Sequence, residues 1–116
     1  MGLDQYAHRQ KSNGEDVEIA TWRKHNALQG WMEKLWTLKT GRPVNDLNCE
    51  AMELTAEDLE NLRLAVEGGK LPVTMGFFYG PDTSKDVSRR GKDLGFVDDA
   101  IAAIDKGEKV FYSCSW

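Results

Sequence analysis

Apolar and polar side chains alternate along residues 2–10, with Leu3 and Ala7 on one face of an extended segment and Asp4, Tyr6 and His8 on the other. Residues 16–24 alternate in the same way, Val17, Ile19, Thr21 and Arg23 opposing Glu18, Ala20, Trp22 and Lys24. Ser12-Asn13-Gly14-Glu15 stands between the two runs, and Asn-Gly is the pair that a tight antiparallel turn favours. The period then lengthens from two to about 3.6. Leu28, Trp31, Met32, Leu35 and Leu38 form a wide apolar stripe over residues 27–39, with Asn26 placed to cap its start and Gly41 and Pro43 to stop it.

A third strand is expected from Leu47 to Leu54. Thr55-Ala56-Glu57-Asp58 then opens a helix, with Asp58 where a capping box usually has Glu; Leu59, Leu62 and Val66 are its buried face and Gly68-Gly69 its stop. Residues 71–81 read as an ordered aromatic loop and 82–92 as a polar segment. A third helix, Asp93 to Lys106, turns Leu94, Val97, Ile101 and Ile104 inward; Gly107 ends it, and a last strand runs from Lys109 to Ser115. This order predicts an α+β fold: a small, mostly antiparallel sheet of about four strands with about three helices packed on one face.

With 116 residues, 41% of them apolar and 29% charged, residues 1–116 suit a single globular domain with a real core rather than a disordered tail. A net charge of −4 excludes both a basic nucleic-acid arm and a whole-surface DNA mimic. No window holds the roughly 18–20 apolar residues of a membrane span. The start lacks a signal-peptide pattern, and Tyr6 stands where a myristoylated Met-Gly start requires Ser or Thr. A cytoplasmic setting is expected, with Cys49 and Cys114 as reduced, partly buried thiols rather than a disulfide framework.

The chemistry-bearing residues crowd into the first third, which holds both histidines and three of the four tryptophans. If the hairpin pairs as drawn, Asp4, Tyr6 and His8 share a neighbourhood with Trp22, Arg23, Lys24 and His25. Such a set offers an imidazole base, an orienting carboxylate and a cation for an anionic ligand. It serves equally as a strand face whose polar atoms bond to the adjacent helix and loop. Two histidines without a His-x-x-x-His or Cys-x-x-Cys companion make no metal site, no Gly-x-Ser-x-Gly elbow occurs, and no cofactor is called for. Phe77, Phe78 and Tyr79 suit either recognition or the core; alternation turns Phe78 away from its neighbours, so at least one ring is expected to be exposed or in a cleft. Lys85, Arg89, Arg90 and Lys92, broken by Asp86 and Asp93, read as a solvated loop, which points away from nucleic acid as the partner.

Several blocks read as a set: Met1-Gly2-Leu3-Asp4-Gln5-Tyr6-Ala7, Trp22-Arg23-Lys24-His25, Gly30-Trp31-Met32, Glu53-Leu54-Thr55 with Asp58-Leu59, Leu71-Pro72 with Gly76-Phe77-Phe78, and Tyr112-Ser113-Cys114-Ser115-Trp116. Together they resemble a family of small uncharacterised proteins of bacteriophages and of phage-like regions of bacterial genomes. Members are often labelled phosphoglycerate kinase. That enzyme class has two lobes and several times this length. Gly68-Gly69-Lys70 also lacks the Gly-x-x-x-x-Gly-Lys-Ser/Thr spacing that cradles phosphate, so the label brings no catalytic residue to this chain. The resemblance implies a phage origin and action in the host cytoplasm. The leading expectation is a non-enzymatic accessory protein that binds a host or viral protein through Tyr6, His8, Trp22, His25, Phe77, Phe78 and Tyr79. The competing one is a small-molecule or nucleotide-binding protein, or a small enzyme, using Asp4, Tyr6, His8, Arg23 and His25.

Overall fold

The computed structural model describes residues 2–72 and 87–116. The opening residues form a hairpin of two antiparallel strands, β1 (Asp4–Gln10) and β2 (Asp16–Arg23). Its turn closes through the Lys11 N–H to the Glu15 carbonyl at 2.8 Å, and Gly14 adopts φ +89°, a value that glycine reaches without a Cβ clash. Two further strands, β3 (Ala51–Leu54) and β4 (Lys109–Ser115), complete a sheet of order β2-β1-β4-β3 in which every pairing is antiparallel. The helices α1 (Asn26–Thr40), α2 (Ala56–Glu67) and α3 (Val87–Asp105) pack on one face of that sheet, giving the α+β arrangement that the pattern predicts.

One face of each strand feeds the core. Gln5, Ala7, Trp22, Met52, Leu54, Val110, Tyr112 and Cys114 are all buried beneath the helices. The alternate positions, among them Tyr6, His8, Thr21, Glu53 and Phe111, form an outer face. A bulge between Ala7 and His8 sets His8 opposite Glu18 and leaves Ile19 as the extra residue, which packs against the core. The strict alternation expected for 16–24 is therefore broken, because Ile19 joins Ala20 and Trp22 on the helical side.

α1 stops at Gly41 as expected, in the left-handed conformation at φ +67°, but departs from expectation at its start and at Leu38. His25, not Asn26, holds the N-cap position, and Asn26 is buried in the first turn. Lys24 makes the left-handed step out of β2 at φ +55°. The buried line along α1 is Leu28, Met32 and Trp36, with Trp31 and Leu35 flanking it. Leu38 is 83% exposed; it follows Trp36 by two residues, about 200° around the helix.

A 3₁₀ turn, Val44–Leu47, buries Leu47, and Cys49 at φ +64° redirects the chain, so β3 starts at Ala51 rather than Leu47. The capping box of α2 forms as expected. The Thr55 hydroxyl accepts the Asp58 N–H at 3.1 Å, and the Asp58 carboxylate accepts the Thr55 N–H at 2.9 Å. α3 begins at Val87 instead of Asp93, so Arg89, Arg90 and Lys92 lie on a helix and not in a loop. Its buried residues, Asp93, Phe96, Val97, Ala100 and Ala103, recur at helical spacing. Among the described residues no helix is long and apolar enough to cross a membrane. Lys85 and the run Phe77, Phe78 and Tyr79 lie outside the described residues.

Candidate functional site

Beneath the inner face, polar side chains occupy positions whose neighbours are apolar. Gln5 clamps the turn into α1 with both ends of its amide. Its Nε2 donates to the His25 carbonyl at 3.0 Å and its Oε1 accepts the His25 N–H at 2.9 Å. The same Nε2 reaches the Tyr112 hydroxyl at 3.0 Å, and that hydroxyl donates to Gln29 Oε1 at 2.5 Å. Gln29 Nε2 in turn donates to the Cys114 sulfur at 3.5 Å and to Glu33 at 3.2 Å. Burial pushes the Cys114 thiol up to about 12, opposed by the Gln29 bond and reinforced by the Glu33 charge.

Next to this network lies a second one drawn from three elements. β2 supplies Trp22, the step into α1 supplies His25, and α3 supplies Asp93. The indole N–H of Trp22 donates to Asp93 Oδ1 at 2.9 Å, and His25 Nε2 stands 2.7 Å from Asp93 Oδ2. An imidazole nitrogen facing a carboxylate oxygen is the donor. The pair has the geometry of a base held by an orienting carboxylate, but its side chains are only 1% and 2% exposed. Its chemical capacity here is to hold: one carboxylate ties the sheet, the start of α1 and α3 together.

The shared neighbourhood expected for the two histidines does not form. His8 alternates with Gln5 and Ala7 along β1 and so lies on the outer face, whereas His25 is carried by the left-handed Lys24 step to the helical side. On the outer face His8 stacks on Phe111, with ring centroids 5.3 Å apart and planes 18° from parallel. Tyr6 is 41% exposed beside them. Asp4 of β1 and Arg23 of β2 face each other on the outer face, 3.8 Å apart and well solvated. Trp22, expected with this group, is 4% exposed on the opposite side. Phe77, Phe78 and Tyr79 are not among the described residues.

The register also aligns residues that sequence reasoning passed over. Glu18 pairs with His8, His8 with Phe111, and Phe111 with Glu53, so one row crosses all four strands as carboxylate, imidazole, phenyl ring, carboxylate. Asp93 and Gln5 were also missed, and each left a signal. Gln5 shares the parity of Leu3 and Ala7, and Asp93 precedes Phe96 and Val97 by three and four residues, on their helical stripe.

A groove of about 300 Å³ opens between β2 and α3, floored by Val17 and Ile19 and edged by Asp99 and Lys106. Arg9 forms one wall, its guanidinium held by both Glu108 oxygens at 2.7 and 2.9 Å. Lys92, on α3, donates to the Thr21 carbonyl and lies 5.7 Å from the Trp22 ring centroid, so it is engaged with the sheet. Among the described residues no three metal-ligating side chains converge. The chain matches no protein-family model, no curated protein and no solved structure.

Proposed function

We propose that this chain is a non-enzymatic accessory protein that docks a host or viral protein on the outer face of its sheet. The observation that supports this reading most directly is the outer face itself: among the described residues no helix packs on it, and it presents Tyr6 beside the stacked His8 and Phe111 rings. Aromatic side chains that remain accessible on a rigid sheet are efficient anchors, because little conformational freedom is lost when a partner covers them.

Strand addition at an edge is the less favoured mode. Lys92 donates to the Thr21 carbonyl on β2 and Lys39 donates to the Glu53 carbonyl on β3, so both edge strands have a backbone acceptor occupied by a lysine. The imidazole with an orienting carboxylate, His25, is sealed from any substrate, which weighs against catalysis through it. A phage origin and action in the host cytoplasm belong to the same reading and rest on the resemblance of the sequence blocks.

Affinity capture with paired variants tests it. Tyr6→Ala combined with Ala51→Arg alters the outer face, and Leu64→Glu alters an exposed position of α2. The protein retained by the parent chain should be lost by the face variant and kept by the helix variant. Retention by both variants, or loss by the helix variant alone, would place the contact elsewhere. The groove between β2 and α3 favours a second reading, a small-molecule binder, through Arg9 and Lys106 rather than through His8 and His25. A ligand-dependent rise in melting temperature that disappears in Lys106→Ala would favour it.

A further inference from the structure

We infer that the segment received by the outer face is basic and extended, with arginines about four residues apart; this rests on the docking reading above. The cross-strand row Glu18, His8, Phe111, Glu53 places an aromatic pair between two carboxylates, one on each edge strand. Glu18 and Glu53 are both exposed, and among the described residues neither carboxylate forms an ion pair. A π-face beside a carboxylate selects a cation. It selects guanidinium over ammonium, because the planar group stacks on the ring while its edge bonds the carboxylate in a fork. The chain already makes such an arrangement within itself. Arg42 lies 4.9 Å from the Trp36 ring centroid and reaches Asp46 through Nε at 3.3 Å.

The charge of the whole face agrees. Asp4, Asp16, Glu18 and Glu53 occupy outer positions against the two cations Arg23 and Lys109. A nucleic-acid backbone would meet repulsion there and a basic segment attraction. Spacing narrows the partner further. Glu18 and Glu53 stand on strands three intervals apart, roughly 14 Å at ~4.8 Å per interval. An extended peptide advances ~3.3 Å per residue, so four residues span that distance when the peptide crosses the strands.

The test is a ¹⁵N chemical-shift titration of the full chain with four probes at equal concentration. The first is a serine-glycine peptide with two arginines four residues apart. The second has lysines in their place, the third has glutamates, and the fourth is a short deoxythymidine oligomer. The arginine peptide should bind most tightly, move resonances of Tyr6, His8, Glu18, Glu53 and Phe111, and weaken steeply with salt. Glu18→Gln with Glu53→Gln, both exposed and outside the core, should reduce its affinity at least about tenfold, while the melting temperature and amide spectrum show an intact fold. No binding, shifts confined to other surfaces, an unchanged affinity in the double variant, or preference for the glutamate peptide or the oligomer would each overturn the inference. If capture of the natural partner is lost with Tyr6→Ala and Ala51→Arg but survives Glu18→Gln with Glu53→Gln, the docking face stands and only its basic specificity falls.

Discussion

Asp93 shows how one buried carboxylate can fix a junction between elements. It accepts from Trp22 and from His25, and its side chain has almost no contact with water. Asp93→Ala strands both donors in the core, at a cost of ~1–3 kcal/mol for each. A loss of about 2–6 kcal/mol is expected in denaturant unfolding. Asp93→Asn keeps one acceptor oxygen and should lose roughly half as much. An Asp93→Ala protein as stable as the parent would show that the junction is held by packing alone. The two cysteines differ just as sharply. Cys49 is exposed and should react with a thiol reagent in the native state, whereas buried Cys114 should react only after denaturant is added. Burial raises the Cys114 thiol from an ordinary 9.0 to about 12. Between those values the unfolded chain has released the proton that the folded chain retains. Stability should therefore fall as pH rises through that window, and Cys114→Val should flatten this part of the profile.

At the scale of the element, α2 is the clearest case of a local sequence determining its own boundary. Thr55 and Asp58 exchange hydrogen bonds at its first turn, and Lys39 of α1 also donates to Asp58. Thr55→Ala should cost about 1 kcal/mol, read as a lower unfolding midpoint. Burial tends to raise the Asp58 carboxyl, but the Lys39 ammonium and the Thr55 bonds outweigh it and hold the group below its ordinary 3.8. That contribution is present above 3.8 and is lost as pH falls through the lower folded value, so Asp58→Asn should shallow the acid limb of a melting-temperature profile. The hairpin, three helices and final strand were legible for the same reason as this cap, since turn residues and apolar periods are local. What was not legible is non-local. His25 and Asp93 are 68 residues apart in the chain, and only the packing of α3 against the start of α1 joins them. The bulge that flips β2 depends on its pairing with β1, and alternation read within one strand cannot register it. The same omission placed His8 and His25 together, because parity along β1 and the left-handed Lys24 step act in sequence to separate them.

For the whole molecule, the four-stranded sheet has two liabilities among the described residues, a face on which no helix packs and two edge strands, and it treats them differently. The face keeps Tyr6 accessible and a net excess of carboxylates, a combination that remains wettable while offering rings to a partner. The edges are closed by chemistry from the helical layer. Lys92 of α3 takes the Thr21 carbonyl on β2, and Lys39 of α1 takes the Glu53 carbonyl on β3 at 2.7 Å. The β1–β2 bulge adds twist to the long edge, and β3 is only four residues long. On the proposed docking reading, edge protection and an accessible face together favour recognition by side chains over recognition by backbone pairing. Replacing both lysines, Lys39→Ala with Lys92→Ala, frees the two carbonyls while leaving the outer face intact. The double variant should then self-associate with rising concentration in sedimentation experiments, and amide exchange on β2 should slow as the new pairing forms. The face variant Tyr6→Ala with Ala51→Arg should show no such change. If the lysine variant sediments as the parent does at every concentration, the bulge and the shortness of β3 suffice to close the edges, and the two lysines act as ties between elements, Lys92 from α3 to β2 and Lys39 from α1 to β3 and to Asp58 of α2.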